Sequence, residues 1–296
     1  MFSNTHILVP EFELITPHTI EEAAGLAGEL PSTALMAGGT DLLVQMKMEQ
    51  RTPSRVIHLG RIPGLDRVTD AACLDLGATA SIRTVGSTPG IVARYTALAE
   101  ACQAFSTVQI TVMGTIGGNV CNASPAADTA PALLVLDAVA RVVSTSRSRD
   151  VPINEFFVAP GRTVLEAGEI LESIRVPRIT GTYGSTFFKM SRVTADISKV
   201  SVAVSLVRDG DSVEQCRIAL GAVAATPLRA TGAEATLTGA VLTESVIEEA
   251  AGVARGEITP ISDVRSTATY RRQVAGVLVG DAIRSAWARS GGGVIR

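Results

Sequence analysis

The sequence predicts an α+β fold divided into two domains, and three observations support this prediction. The chain has 296 residues, 46% hydrophobic and 19% charged, which suits a globular protein of about 150 residues per domain. Strand and helix patterns are mixed up to about residue 176, and no internal repeat is visible. After that point, strand patterns are followed by helices, which indicates a separate α+β unit with a boundary near 177–185.

The first 60 residues predict helices and short strands around a glycine pair. Thr19 and Glu22 have the spacing of a capping box, which is typical of the start of a helix. The pair Gly38-Gly39 follows a short apolar run and precedes residues with helical spacing. The predicted elements are a helix reaching Leu30, a strand at 34–36, a helix at 42–46 and a strand at 55–59.

The region up to residue 176 continues this mixture around a second glycine pair, Gly117-Gly118. Ser124 precedes Pro125, the preferred order of an N-cap and a first helical residue, so we expect a helix from there through Leu136. The other predicted elements are strands at 74–77, 141–143 and 170–176 and a helix at 95–105.

The last third of the chain predicts a hairpin and two helices. Residues 200–207 alternate in character, and Asp209-Gly210 turns the chain into residues 216–223, so we expect a hairpin with one buried face. Ser245 and Glu248 indicate a capped helix. The last helix should pack through one side, which is formed by Tyr270, Val274, Val277, Leu278, Ile283 and Trp287.

Composition argues against several classes of partner. The formal net charge is -3 and no basic cluster is present, so nucleic acid is not expected to bind. No apolar run approaches the roughly 18 residues that a membrane span requires. The N-terminus also lacks a signal-peptide pattern, so we expect no membrane span and a cytoplasmic location.

The cysteines and histidines do not have the spacing of metal ligands. They are Cys73, Cys102, Cys121, Cys216, His6, His18 and His58. No C-x-x-C pair occurs, which argues against a zinc site or an iron–sulfur cluster held by this chain alone. We therefore expect a metal-free chain whose cysteines are mainly buried structural thiols.

The two glycine segments are the best candidates for chemistry. They read Ala37-Gly38-Gly39-Thr40-Asp41 and Thr115-Ile116-Gly117-Gly118-Asn119. Adjacent glycines let successive N–H groups point into one concavity, and a following helix favours an anion. Two such turns suit a pyrophosphate held from two sides, with the hydroxyls of Thr40 and Thr115 assisting. Neither segment is a Rossmann or P-loop motif, and each alone is more often an ordinary turn.

The residues around both glycine pairs resemble those of a known family. Residues 37–43 (AGGTDLL) and 115–128 (TIGGNVCNASPAAD) closely resemble the FAD-binding subunits of the xanthine dehydrogenase and carbon monoxide dehydrogenase family. Phe187-Phe188-Lys189 with Arg192, residues 218–229 and residues 262–271 resemble the C-terminal half of those subunits. The resemblance covers nearly the whole chain in order.

This resemblance implies a specific fold and division of the chain. Residues 1–178 would form a two-part FAD-binding domain of the vanillyl-alcohol-oxidase (PCMH) type, with subdomains at about 1–58 and 59–178. Residues 183–290 would form a smaller C-terminal α+β domain of the carbon monoxide dehydrogenase flavoprotein type.

The resemblance also implies which residues hold FAD. Ala37–Asp41 and Thr115–Asn119 would bind the pyrophosphate and adjoining sugar parts. Asp128 would accept hydrogen bonds from flavin-side hydroxyls, and Lys189 would approach from the second domain and close the site. Phe105 and Leu171 would lie near the cofactor, Leu171 beside the flavin ring. The structural alternatives are a helix-end acid for Asp128, a solvated strand lysine for Lys189, and core packing for Phe105 and Leu171.

Two departures from relatives sharpen the cofactor prediction. Flavoproteins of this broad fold with covalent FAD usually place a His or Cys in the first loop, where this chain has Thr40. The FAD is therefore expected to be non-covalent and dissociable. Some relatives insert a cysteine-bearing loop for a 4Fe–4S cluster after the second glycine motif, but here Cys121 stands alone. No such cluster is expected.

The function that the resemblance implies is electron relay within a complex. A large molybdopterin subunit would oxidise the substrate, and a small 2Fe–2S subunit would pass electrons to this FAD, in a dimer of three-subunit units. NAD+, quinone or another acceptor would then be reduced. Two alternatives are a self-sufficient flavoenzyme with its own small substrate and a non-catalytic nucleotide-binding or assembly module. The substrate of the molybdenum partner stays open.

Overall fold

A computed structural model describes residues 10–29, 32–193 and 195–295. His6 and Leu30 lie outside these described residues. The strands are β1 (Glu13–Ile15), β2 (Thr33–Met36), β3 (Arg55–His58), β4 (Val68–Asp70), β5 (Leu74–Gly77), β6 (Val139–Val143), β7 (Ser148–Pro152), β8 (Phe157–Ala159), β9 (Arg162–Thr163), β10 (Ile170–Val176), β11 (Thr182–Met190), β12 (Val200–Asp209), β13 (Ser212–Gly221) and β14 (Leu228–Arg229).

The helices are short in the first half of the chain and longer in the second. They are α1 (Ile20–Glu29), α2 (Leu42–Lys47), α3 (Ile82–Ser87), α4 (Pro89–Arg94), α5 (Thr96–Gln103), α6 (Val108–Met113), α7 (Ile116–Asn122), α8 (Thr129–Val135), α9 (Ile153–Phe156), α10 (Thr231–Leu237), α11 (Glu244–Glu257) and α12 (Ala268–Arg289). No described helix combines the length and the apolar composition that crossing a bilayer requires.

The N-terminal sheet is small and parallel, with strand order β1-β3-β2. The strand predicted at 34–36 is confirmed as β2, and α1 begins with the predicted capping box. The Glu22 amide donates to Thr19 Oγ1 at 3.1 Å, and the Glu22 carboxylate accepts from the His18 amide at 2.9 Å. These contacts satisfy amides at the helix start.

The second sheet has the order β4-β5-β10-β6-β7 and is antiparallel throughout. Its central strand β10 spans Ile170–Val176, as the sequence predicts, and ends before Pro177. Residues such as Leu76, Leu98, Leu133 and Ile174 are fully buried between this sheet and the helices. They belong to the larger of two main cores, which we call the first core.

The third sheet has the order β11-β12-β13-β14, and the predicted hairpin forms its centre. The expectation of a single buried face is wrong, because β12 is buried along both faces from Val200 to Val207. Valines at 200, 202 and 204 pack with α11 and α12 in a second core, whereas Ala203 joins the first core. Alternate residues of β12 therefore lie on two buried faces, and neither face is exposed to solvent.

Three acidic residues preceding β11 pair with basic residues on the third sheet and α12. Glu100 binds Arg289 with N–O distances of 2.6 and 3.0 Å. Asp128 binds Lys189 at 2.6 Å, and Asp137 binds Arg217 through Nε at 2.7 Å. All three acids precede β11, and all three bases lie on the third sheet or on α12. These pairs therefore fix how the third sheet docks on the first core.

Two predicted helix starts are wrong. The helix expected from Pro125 begins at Thr129, because residues 124–127 form a turn in which Ser124 Oγ accepts from the Ala126 amide at 3.2 Å. Serine followed by proline serves turns and helix starts alike. In α11 the capping hydroxyl belongs to Thr243, not Ser245, and accepts from the Val246 amide at 3.3 Å.

The C-terminal helix α12 is correctly predicted, but its buried side is only partly so. Tyr270 and Val277 are 40% and 63% exposed, because smaller residues such as Ala275 and Ala282 face the third sheet instead. Trp287 is buried in the second core and its Nε1 donates to the Gly293 carbonyl at 3.1 Å. The Arg208 guanidinium lies 5.8 Å from its ring centroid.

A larger side chain at Ala203 should loosen the packing of the third sheet on the first core. We expect Ala203→Leu to lower the free energy of unfolding by about 1–3 kcal/mol, because the site is fully buried. Urea unfolding followed by circular dichroism measures this change. Ala235→Leu, on an exposed position of α10, is the matched control and should leave the unfolding midpoint unchanged. Equal stability of both variants would contradict the two-sided burial.

Candidate functional site

The first glycine segment turns the chain from β2 into α2 and leaves several backbone amides unused. Gly39 has a φ of +72°, a conformation that glycine adopts without strain. No described residue accepts a hydrogen bond from the amides of Gly38, Gly39 or Thr40. This segment therefore has the donors predicted for an anion cradle.

The two glycine segments are direct neighbours in space. A Cβ on Gly38 would lie 1.7 Å from the Met113 carbonyl oxygen, so only glycine allows this approach. A Cβ on Gly114 would lie 3.6 Å from Thr40 Oγ1 and 2.8 Å from the Ile110 carbonyl oxygen. The first turn thus lies against the chain that leads into Thr115, although nearly 80 residues separate the two in sequence.

The second glycine pair is not a turn, which corrects the sequence interpretation. Gly117 and Gly118 lie in the first turn of α7, whose N-cap is Thr115. The Gly117 amide donates to the Ala78 carbonyl at 3.0 Å, and the Gly118 amide donates to Thr115 Oγ1 at 3.0 Å. The prediction that both amides face a ligand is therefore wrong. Gly117 is required for packing, because a Cβ would lie 2.6 Å from the Ala78 carbonyl oxygen.

Asn119 is the residue of this second segment that offers a polar group. Its Oδ1 accepts from the Thr129 hydroxyl at 2.6 Å, which orients the side-chain amide. No described residue accepts from its NH₂ group, which stays available as a donor. The side chain of Ile116 is fully buried and its amide donates to the Ala80 carbonyl at 2.9 Å. Ile116 therefore supports α7 and presents no side-chain contact to a ligand.

Asp128 and Lys189 form a buried ion pair near this site. Lys189 Nζ donates to Asp128 Oδ2 at 2.6 Å and to the carbonyls of Ala104 and Phe105 at 3.0 and 3.3 Å. The side chains are only 5% and 7% exposed, so the alternative of a solvated strand lysine is wrong. Lys189 reaches Asp128 from the third sheet, and all its N–H donors have partners.

The surroundings of the two site carboxylates shift their acidity. Asp128 lies at the N-cap position of α8 rather than in its first turn, and Ser198 Oγ donates to its Oδ1 at 2.8 Å. Burial raises the pKa of Asp128, while the Lys189 ammonium and the Ser198 hydroxyl act in the opposite direction. Partial burial also raises the pKa of Asp41, whose carboxylate receives no hydrogen bond from a described residue.

The two apolar residues expected near the flavin differ in exposure. Phe105 is partly buried just after the end of α5, packs against the first core, and offers its carbonyl to Lys189. Leu171 is only 3% exposed in β10 and lies inside the first core, which is the packing of an ordinary core leucine. Its contact with a flavin ring stays a prediction.

The sequence did not predict the exposed apolar side chains around the glycine segments. They are Leu43, Val44 and Met48 in and after α2, and Val108, Val112 and Met113 in α6. The signal in the sequence was their placement on short helices next to the glycine pairs. Exposed apolar groups clustered in this way are typical of interaction surfaces.

Among the described residues, no group of three or more histidine, cysteine or acidic side chains has the arrangement of a metal site. All four cysteines are free, with Cys102 and Cys216 buried and the other two partly buried. Burial raises the pKa of the Cys121 thiol to about 12, so this neighbour of the second glycine pair is a poor nucleophile at neutral pH.

Two family models match this chain. Residues 10–179 match the FAD binding domain in molybdopterin dehydrogenase, and residues 185–286 match the carbon monoxide dehydrogenase flavoprotein C-terminal domain. The first match alone covers more than half of the chain, and the second covers the third sheet and most of the helices that follow it.

Relatives of known type match over nearly their whole length. The carbon monoxide dehydrogenase medium chain of Hydrogenophaga pseudoflava is 33% identical, over 96% of this chain and 99% of its own. The glyceraldehyde dehydrogenase medium chain of Sulfolobus acidocaldarius is 30% identical, over 91% and 96%.

A solved structure has the same fold. It is carbon monoxide dehydrogenase from Hydrogenophaga pseudoflava in a form that lacks the Mo-pyranopterin moiety of the molybdenum cofactor. One of its chains superposes with a TM-score of 0.93 at 34% identity, covering 95% of this chain and 99% of that chain. The chain therefore belongs to the family of FAD-binding subunits of the molybdopterin dehydrogenases and is an oxidoreductase component of the molybdenum hydroxylase type.

Proposed function

We propose that this chain holds one dissociable FAD against its two glycine segments and passes electrons between partner subunits and an external acceptor. The observation that carries the proposal is the first glycine turn, whose amides at Gly38, Gly39 and Thr40 have no described acceptor. Its close contact with the chain before Thr115 puts Asn119 within the same region of the molecule. This donor set fits a pyrophosphate, which needs several N–H groups and close backbone approach.

The other site residues have distinct roles in this proposal. The side-chain amide of Asn119 donates to the phosphate or the adjoining sugar, and Asp41 accepts from sugar hydroxyls. Lys189 holds Asp128 in place, so that the free lone pairs of this carboxylate accept from flavin-side hydroxyls. Phe105 provides an apolar edge, and Leu171 supports the sheet beneath. Bound FAD supplies the capacity to store two electrons and exchange them singly or in pairs.

The partners follow from the family and from the surface of the chain. Relatives are called medium chains, and exposed apolar residues on α2 and α6 surround the glycine segments. We propose that a small 2Fe–2S subunit docks there and that a large molybdopterin subunit oxidises the substrate, in a cytoplasmic dimer of three-subunit units. The acceptor is an external electron acceptor such as NAD+ or a quinone. Residues 1–178 serve as the FAD-binding domain and residues 183–290 as the C-terminal domain.

Distorting the first glycine turn should weaken FAD binding. We expect Gly39→Val to raise the dissociation constant at least about tenfold, because a side chain at positive φ strains the turn and redirects its amides. The added Cβ would also crowd Leu43 and Met36, at 3.1 and 3.3 Å. Flavin fluorescence quenching during titration measures the constant.

Gly64→Val is the matched control for that variant. Gly64 has a similar φ of +75°, and a Cβ there would meet no atom within 4 Å. It should lose stability to a similar extent and keep its FAD affinity. A Gly39→Val chain with unchanged affinity would refute the cradle. Gly118→Val should also lose FAD, but through displacement of Thr115 from the cap of α7, since a Cβ there would lie 2.8 Å from its hydroxyl.

The FAD should leave the denatured chain completely. No His or Cys stands in the first loop, and Thr40 does not form the covalent flavin links that such residues make. Hot acid precipitation should therefore release all yellow colour into the supernatant, as measured by absorbance and by mass spectrometry of the polypeptide. A protein mass increased by one flavin would contradict this prediction.

Reduction of the bound FAD by substrate should depend on the partners. We expect the FAD-loaded chain alone to keep its visible absorbance under anaerobic carbon monoxide, xanthine or glyceraldehyde. The complex isolated from the native source should bleach with its own substrate. Bleaching of the isolated chain would favour a self-sufficient flavoenzyme, and a chain that takes up no FAD would favour an assembly module.

A further inference from the structure

A basic cleft lies at the junction between the first core and the third sheet, away from the glycine segments. It has a volume of about 570 Å³ and lies where α4 meets α5, beside the start of β11 and the end of α12. Three arginines line it, namely Arg94, Arg178 and Arg289. Along β11, Gly184 in its wall and Lys189 are five residues apart, which corresponds to about 16 Å.

The cleft has more arginines than acidic residues that pair with them. Arg94 and Arg178 share Asp70, at 3.1 and 3.6 Å, and Arg178 also donates to the Ala71 carbonyl at 2.8 Å. Arg289 pairs with Glu100 and donates to the Ser185 carbonyl at 2.8 Å. Three guanidinium groups thus face two carboxylates, which leaves one positive charge uncompensated in the immediate set.

Each arginine also keeps N–H groups that no described residue accepts. They are Nε and Nη2 of Arg94, Nε and Nη1 of Arg178, and Nε of Arg289. Each carboxylate binds only part of a guanidinium group and so fixes its orientation. Guanidinium groups oriented in this way are the usual receptors for phosphate oxygens.

A buried tyrosine with an unpaired hydroxyl lies in the same wall. Tyr95 lines the cleft, is 2% exposed, and its hydroxyl has no hydrogen-bond partner among the described residues. Buried hydroxyls nearly always have a partner, so this unsatisfied hydroxyl is an unusual feature beneath the wall of the cleft. Ala93 and Ile179 provide apolar wall beside it.

We propose that this cleft binds the phosphoryl group of a small phosphorylated organic molecule. The three arginines come from separate segments, namely the end of α4, the chain after β10 and the end of α12. A tetrahedral phosphoryl group has oxygens for all three, whereas a planar carboxylate is satisfied by one bidentate arginine. The volume exceeds that of inorganic phosphate, and the apolar wall accommodates an organic substituent.

Such a ligand would contact both sides of the junction. Arg94 and Tyr95 belong to the part of the chain before β10, and Arg289 belongs to α12. A molecule held by both therefore stabilises the docked arrangement through binding alone. No chemical step is involved, and the proposal does not depend on how FAD binds.

The test uses the full chain saturated with FAD, so that the glycine segments do not compete for the probes. Isothermal titration calorimetry with inorganic phosphate and phenyl phosphate measures binding, with benzoate as the carboxylate probe. We expect saturable binding of both phosphates, tighter for phenyl phosphate, and weaker binding of benzoate. Arg94→Ala and Arg178→Ala should each weaken phenyl phosphate about tenfold, as expected for a lost charge-assisted hydrogen bond.

Arg147→Ala is the matched control. The Arg147 side chain is 52% exposed, compared with 57% for Arg94. Without Arg147, its buried partner Glu169 remains paired with Arg149, just as Asp70 remains paired with Arg178 without Arg94. It should leave phenyl phosphate affinity unchanged. Melting temperatures establish that every variant is folded, and Arg94→Lys should retain part of the affinity. No saturable phosphate binding, equal losses in Arg94→Ala and Arg147→Ala, or benzoate binding as tight as phenyl phosphate would each overturn the proposal.

Discussion

Strands β12 and β13 are covered on one face by α10 and α12 and on the other by helices of the first core, and the rest of the molecule is arranged around this contact. The face toward the first core carries small side chains such as Ser201, Ala203 and Ser205, which allow close approach. Ion pairs then fix the position of the sheet. Since Lys189 reaches Asp128 across this contact, the position of Asp128 depends on how the third sheet packs on the first core.

The candidate site is shaped as much by missing side chains as by polar groups. Gly38 lets the first turn touch the Met113 carbonyl, and Gly117 lets α7 touch the Ala78 carbonyl. Each close approach would be impossible with any Cβ. The two glycine pairs therefore have different tasks, since the first exposes amides and the second lets a capped helix pack tightly against the end of β5.

The sequence predicted most secondary-structure elements and the family. It failed where residues far away in the sequence determine the local structure. Strands 74–77 and 170–176 have their predicted bounds because a turn or a proline ends them. The start of α8 was misplaced because Ser124-Pro125 is equally compatible with a turn. The amides of Ile116 and Gly117 donate to the carbonyls of Ala80 and Ala78, and a local motif does not reveal these distant acceptors.

The same limit applies to burial and to the ion pairs. Alternating valine and small residues in β12 have the pattern of one buried and one solvated face, and only the docked helices bury both. Lys189 resembled a residue that closes a site, but its pairing with Asp128 and two carbonyls depends on elements 61 to 85 residues away. Short exposed apolar helices around the site were visible in sequence only as ordinary hydrophobic positions.

Trp287 is the one tryptophan of the chain, and its burial under Arg208 in the second core has a spectroscopic consequence. Its emission reports on the C-terminal helix and third sheet, whereas the emission of a flavin bound as proposed would report on the glycine segments. With FAD bound as proposed, the two chromophores would lie in different parts of the molecule. Undocking of one part, without unfolding, would alter energy transfer from indole to isoalloxazine while leaving the tryptophan emission maximum in place.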